Sequence, residues 1–249
     1  EISLVTRVFK TFFFLDHLNP SKRRVIARMK RQPIEGDGKD LYIILNGPSL
    51  KTQDLNLLKG KCIMCVNKGF KHPLYAAIQP QYHIIVDPFL RDGIWPIEWL
   101  DEIRRLSPHV KIILPVEWYN HPTFAKIKDE PYIYWQYWRV PYYNMGVSGG
   151  CFSFAIQQHF NNIYFTGFDG NSCACDMMKG SETHFYGHDA EHKDMTTKQH
   201  AVALFSTYLQ FTDLNEFADY CKNRGIKIIN LTNGGLLDMF ERASFSDIQ

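Results

Sequence analysis

Leu41-Tyr42-Ile43-Ile44-Leu45, followed at once by Asn46-Gly47-Pro48-Ser49-Leu50, is the stretch on which the fold turns. Five apolar residues without polar alternation describe a strand buried on both faces, as in a parallel sheet. Gly36-Asp37-Gly38 before it and Gly47-Pro48 after it are the punctuation of strand ends. The pattern recurs outward along the chain. Cys62-Ile63-Met64-Cys65-Val66 stops at Asn67-Lys68-Gly69, and Tyr82-His83-Ile84-Ile85-Val86 stops at Asp87-Pro88. Val110-Lys111-Ile112-Ile113-Leu114 stops at Pro115, and Asn162-Ile163-Tyr164-Phe165 stops at Thr166-Gly167-Phe168-Asp169-Gly170. Helical patterns fall at 97–106, 149–159 and 196–223, the last closed by Gly225, and Ile226–Asn230 reads as the final strand. Short apolar strands alternating with helices predict an α/β fold: a Rossmann-like, mostly parallel sheet flanked by helices, one domain over 40–249.

In such sheets a ligand lies outside the carboxyl ends of the strands. Asn46, Asn67, Asp87, Ser148, Thr166 and Asp169 are therefore expected to border one crevice. Gly47 lets a nucleotide approach the backbone, and Ser49 is placed to cap a following helix whose amides face an anion. The turn is neither G-x-G-x-x-G nor a P-loop, which disfavours NAD and nucleoside triphosphates. Val147-Ser148-Gly149-Gly150-Cys151 opens a helix, its small residues serving either close approach of a ligand or tight packing on the sheet. The absence of a G-x-S-x-G elbow disfavours a serine hydrolase. Asp169 at a strand end could orient a hydroxyl, act as base or attack a sugar carbon, or simply cap the next turn. His184-Phe185-Tyr186-Gly187-His188 reads as a polar loop, where a histidine with a pKa of about 6.5 suits proton removal from a hydroxyl. A metal cluster with Asp189, Glu191, His192 and Asp194 is the alternative there, without an H-E-x-x-H to support it.

Composition narrows the classes. The 249 residues are 45% hydrophobic and 14% aromatic, enough for a sizeable core, with a formal charge of +2. Residues 1–39 hold nine Lys/Arg and four Asp/Glu, so the rest of the chain is slightly acidic and carries no nucleic-acid stripe. Six cysteines lack the paired spacing of a zinc site and read as reduced thiols. No run is long enough for a membrane span, no secretory leader is legible, and the expected location is cytoplasmic. Residues 1–39 form a basic, aromatic helical segment. Its first 31 residues either lie against an anionic membrane at the inner face of the cytoplasmic membrane or pack on the domain with the basic face in water.

In order, these motifs resemble the family 42 bacterial sialyltransferases. The resemblance runs from about 41 to 245 and consists of Asn46–Lys51, Asn67, Asp87-Pro88 (Asn-Pro in that family), Ser148-Gly149, Ile163–Asp169, His184–His188 and a closing Ile226–Phe240. It implies a GT-A-like variant of the fold with a lid at about 170–192, binding CMP through Asn46, Ser49, Asn67 and Ser148-Gly149. Gly47, Asp87, Thr166 and Gly167 complete the implied donor site, with His184 and Tyr186 beside the phosphate. His188 is implied as the general base that deprotonates the acceptor, giving inversion. The implied partners are a CMP-sugar donor and a glycan or lipooligosaccharide acceptor, with no cofactor and no metal. Consistently, the chain has no D-x-D motif, and a CMP-sugar with its single phosphate can leave without one. Trp135–Trp138 and Pro141–Tyr143 could stack on acceptor sugars or pack in the core. Homo-oligomerisation stays open.

The chain also departs from that family. Gly170-Asn171-Ser172 stand where tyrosines that assist phosphate departure are expected, and Met145 where an arginine is expected. A related group moves Kdo from CMP-Kdo, in part with retention, which would make Asp169 the nucleophile. Archaeal-type pterin pyrophosphokinases carry a similar Gly-Pro-Ser-Leu turn and Gly-x-Asp strand end, so phosphoryl transfer is the second class. A nucleotide-sugar-binding subunit without catalytic function is the third.

Overall fold

In the computed structural model, residues 18–138, 140, 142–178, 181–187 and 195–247 are described. Eight strands form one sheet in the order β5-β4-β3-β2-β1-β6-β7-β8, every neighbouring pair parallel. They are β1 Leu41–Ile44, β2 Ile63–Val66, β3 Tyr82–Ile84, β4 Lys111–Pro115, β5 Ile133–Gln136, β6 Asn162–Thr166, β7 Lys227–Asn230 and β8 Glu241–Arg242. Every residue of β1 is buried, as its uninterrupted apolar run requires. Ile43 pairs with Met64 on one side and Phe165 on the other, so β1 is the central strand. The chain builds outward from β1 to β5, then returns to β1's free edge to add β6, β7 and β8. That reversal makes the β1–β6 junction the topological switch point.

Helices of six or more residues are α1 Pro20–Lys30, α2 Trp99–Leu106, α3 Gly146–Gln157, α4 Ser172–Met177 and α5 Thr197–Lys222. Helix α1 starts at an Asn19 cap and buries Val25, Ile26 and Met29 in the common core, while Arg23, Arg24 and Arg28 stay in water. The remainder of the 1–31 segment, up to 17, lies outside the described residues. Helix α5 starts with a Thr196–Gln199 capping box, and Gly225 follows its end at φ 67°. Among the described residues no helix is long and apolar enough to cross a membrane.

Helix α3 shows what the small residues at 149–150 do. A Cβ on Gly150 would stand 3.0 Å from Ile84 Cδ1 and 3.3 Å from Val86 Cγ1, so this glycine lets the helix sit directly on β3. Tight packing is the role that survives for it.

Several expectations are corrected. Strand β5 was not foreseen, because Tyr134-Trp135-Gln136 reads as an aromatic polar stretch. Trp135 is fully buried and donates its indole N–H to the Lys128 carbonyl at 2.8 Å, so it cannot stack on a sugar. Strand β7 is not the last: the two-residue β8 follows, too short for any periodicity to register. Helix α3 begins at Gly146, three residues before the expected start, because Gly146 at φ 60° makes the turn into it. After Gly47 comes only a 3-10 turn, Pro48–Thr52, with no side-chain cap; the Ser49 hydroxyl goes elsewhere.

Candidate functional site

The polar strand ends meet at the switch point. Strands β1 and β6 stay paired for one step past their ends: Leu45 N–H donates to the Thr166 carbonyl at 2.9 Å and Gly47 N–H to the Gly167 carbonyl at 2.8 Å. Glycine is required on both sides. A Cβ on Gly47 would stand 1.8 Å from Asp169 Oδ2, and one on Gly167 2.7 Å from the Leu45 carbonyl oxygen, at a φ of +70°. Across this contact the Ser49 hydroxyl donates to Asp169 Oδ2 at 3.0 Å, joining residues 120 positions apart. Burial raises the Asp169 pKa above the ordinary carboxylate value, and the hydrogen bonds from Ser49 offset only part of that.

Asn46, 8% exposed, donates from Nδ2 to the Val66 carbonyl at 3.2 Å and so bridges β1 to β2. Its Oδ1 is buried and finds no hydrogen-bond partner among the described residues. Such an orphaned acceptor carries a desolvation penalty of about 1–3 kcal/mol unless a ligand or water donates to it.

Asn67 follows β2 in the left-handed region, φ 44°, a conformation that Asn tolerates better than most residues. It is held from two sides. Its Oδ1 accepts the Val86 N–H at 3.4 Å, and its carbonyl lies 2.8 Å from His83 Nε2. The fully buried His83 has its other nitrogen 2.9 Å from the Tyr75 hydroxyl. That pattern assigns a neutral imidazole donating from Nε2 and accepting at Nδ1. Burial lowers the His83 pKa to about 4, so it acts as a fixed strut for Asn67.

The remaining candidates are distributed as follows. Asp87 accepts the Phe89 N–H at 3.0 Å and caps the turn Pro88–Arg91. Ser148 is 1% exposed, with its hydroxyl committed to the Met145 carbonyl at 2.6 Å. Gly149 is buried beside it at the start of α3, which has no side-chain cap. Thr166 is buried and its hydroxyl bonds the Gln53 side chain. Segment 181–187 lies over β1: Phe185 N–H donates to the Asn46 carbonyl at 2.9 Å, and His184 and Tyr186 stack with centroids 4.8 Å apart. Lys51 and Glu182 form an ion pair that also ties the segment to the turn after β1. The expected lid at about 170–192 thus contains a helix, α4, and a docked segment. His188, the expected base, and the acidic and histidine residues 189–194 lie outside the described residues. Among the described residues no group of three His, Cys, Asp or Glu could hold a metal, and the six cysteines are free.

Two residues at this edge were not singled out from sequence. Lys68 is only 4% exposed, with Nζ 5.0 Å from the Trp95 ring centroid, 5.8 Å from Trp99 and 5.9 Å from Tyr186. His72, half-buried with its pKa lowered by that burial, packs edge-on against Phe185 at 5.0 Å. The signal for Lys68 was its place directly after a strand-end asparagine.

No family model matches the chain, and no curated protein matches its sequence. Solved structures do share the fold. The sialyltransferase CstII from Campylobacter jejuni, solved with cytidine-5'-monophosphate as a substrate analogue, superposes with a TM-score of 0.54 at 19% identity, over 84% of this chain and 86% of that one. The MAf glycosyltransferase from Magnetospirillum magneticum AMB-1 matches with a TM-score of 0.50 at 12% identity, over 85% of this chain but 34% of its own length. At these identities the likeness establishes a shared α/β architecture.

Proposed function

We propose that the chain is a glycosyltransferase that moves a 2-keto acid sugar, sialic acid first among them, from a CMP-activated donor to a glycan hydroxyl. The observation that carries this reading is the buried Asn46 Oδ1, without a hydrogen-bond partner among the described residues, at the switch point of a sheet shared with a CMP-bound sialyltransferase. An acceptor in that position needs a donor from the ligand, and a nucleotide offers hydroxyl and amino groups. Gly47 and Gly167 let the two strand-end turns close on each other and on Asp169, and Asn67 stands pre-set by His83 and Val86. The uncapped first turn of α3, Gly146 to Ser148, has amide N–H groups without an intrahelical partner that could face an anion.

In this reading His188 accepts the proton of the acceptor hydroxyl as its oxygen attacks the anomeric carbon. The bond from that carbon to the phosphate oxygen breaks, CMP departs and the configuration inverts. His184 and Tyr186 border the phosphate. No metal or other cofactor is assigned, and the acceptor is a surface glycan or lipooligosaccharide. Asp169, bonded to Ser49 beneath Gly47, holds the turn that receives the nucleotide.

Calorimetry with CMP tests the reading: the chain should bind it, and Asn46→Ala should weaken binding by tenfold or more. Absence of CMP binding would sink the proposal. Turnover of His188→Ala against Asp169→Ala, with the product's configuration, separates the inverting route from a retaining Kdo-type route through Asp169. Activity abolished by EDTA, together with ATP binding, would instead favour the pyrophosphokinase class.

A further inference from the structure

Helix α5 is much longer than the strands it packs on. Its 26 residues span about 39 Å, whereas the five residues of β6 and the four of β7 span only about 13–17 Å. Its buried residues are Asp213, Leu214, Phe217 and Cys221, all in the second half. From 197 to 212 no residue is buried. Because α5 leads into the start of β7, this first half lies toward the carboxyl ends of the strands. It stands beside the crevice: a Cβ on Gly146 would be 3.7 Å from Gln210 Nε2, and one on Gly170 3.5 Å from Phe211 Cε1.

A helix left in water should be polar, and this half is not. Between His200 and Asp213 there is no charged side chain, and Val202, Leu204, Phe205 and Tyr208 are 53–60% exposed. Those four side chains leave on the order of 400 Å² uncovered in each copy of the chain. Apolar area on this scale in one patch marks an interaction surface.

The charges decide what covers it. An interfacial helix in lipid carries Lys and Arg along its polar face. From 199 to 221 this helix has neither, and Glu216 and Asp219 are exposed. A second copy of the same helix is complementary instead. Ala201, Phe205, Tyr208 and Thr212 follow the spacing of one helical stripe, opposite the buried Asp213, Phe217 and Cys221. Two such stripes laid antiparallel about an axis between 206 and 207 set Phe205 against the partner's Tyr208 and Ala201 against the partner's Thr212. The same register brings Lys198 level with the partner's Glu216, one turn beyond the apolar stretch, twice by symmetry. Two copies supply about 800 Å² of apolar area. Interfaces are a little over half apolar, so covering it corresponds to about 1,400 Å² in all, the size of a stable pairing.

We infer that the projecting half of α5 is a self-association surface, on which a second copy of this chain packs antiparallel about a two-fold axis. The inference does not depend on the glycosyltransferase reading.

Sedimentation velocity of the full chain tests it. At about 10 μM the chain should sediment at twice its 29.1 kDa mass. Phe205→Asp should raise the dimer dissociation constant at least a hundredfold with an unchanged far-UV circular dichroism spectrum. Should that variant not fold, the exposed charges give the answer. Lys198→Glu and Glu216→Lys should each weaken the dimer by about three- to tenfold, as expected of two symmetric exposed pairs. The double swap should restore it. A monomer at every concentration overturns the inference, as does a dimer indifferent to Phe205→Asp. Charge swaps without effect, or a double swap that adds to the loss, overturn the antiparallel register. If the chain is monomeric and floats with phosphatidylglycerol vesicles unless Phe205→Asp is present, a lipid surface covers this helix and the inference falls.

Discussion

The carboxyl edge of the sheet is built in two ways. At its β4–β5 flank the chain leaves the strands into packed apolar matter: Leu114, Val116, Phe124 and Trp135 are wholly buried, with Trp118 stacked on Phe124 at 5.7 Å. At the β1–β6 junction the same edge is made of Asn46, Gly47, Ser49, Gly167 and Asp169, held by hydrogen bonds and by glycines without room for a Cβ. One flank buries area and supports the fold. The other gives up apolar packing for hydrogen bonds and close backbone contact; a buried acceptor without a partner among the described residues occurs on both, Asn46 Oδ1 here and Gln136 Oε1 at the end of β5.

Phe124→Ala probes the flank and should give the largest stability change, a loss of about 3–5 kcal/mol in urea unfolding. CMP affinity of the folded fraction should stay unchanged, and a fall there would erase the distinction between the two flanks. Gly47→Ala should cost roughly 1–3 kcal/mol through overpacking against Asp169. Its CMP affinity should nevertheless drop by about a hundredfold, near 2.7 kcal/mol of binding; unimpaired CMP binding would show that the turn does not receive the nucleotide.

His83→Gln tests the strut beneath Asn67. The unfolded histidine takes a proton near pH 6.5 and the folded one only near about 4, so stability is full above 6.5 and is lost as pH falls toward 4. The slope of this loss, up to about 1.4 kcal/mol per pH unit, should flatten in the variant, as followed by thermal melts across that window. Ser49→Ala should cost about 0.5–1.5 kcal/mol, the ordinary worth of one hydrogen bond. Asp169→Asn should change stability least. With its folded pKa raised, the ionised carboxylate opposes folding above that value, so the amide should leave the melting temperature at pH 7 equal or higher, and turnover lost without a fall in stability would favour the retaining route. A sizeable fall in melting temperature would move Asp169 to the structural side.

Legibility in the sequence followed the same division. The buried strands β1 to β4, β6 and β7 announced themselves because a strand covered on both faces has little besides apolar residues to show. Strand β5 did not, since Trp135 and Gln136 look like surface chemistry until Trp135 is seen sealed in the core. Asn46, Asn67 and Asp169 were legible as strand ends by the crevice rule. The bond between Ser49 and Asp169 was not, because it joins residues 120 positions apart. Lys68 was hidden for the same reason: its cage takes rings from 95, 99 and 186, and no local pattern records their convergence.

The 1.8 Å between the missing Cβ of Gly47 and Asp169 Oδ2 reaches beyond stability into the paths by which this sequence can change. Any larger residue at 47 is admissible only after the carboxylate at 169 has gone, and losing the carboxylate releases Ser49 from the turn. The dependence runs one way: 49 and 169 can change while 47 stays glycine, but 47 cannot enlarge while 169 keeps its carboxylate. A library seeking new donor specificity in this chain should vary 47 only together with 169 and 49, because scanning 47 alone will record it as immutable.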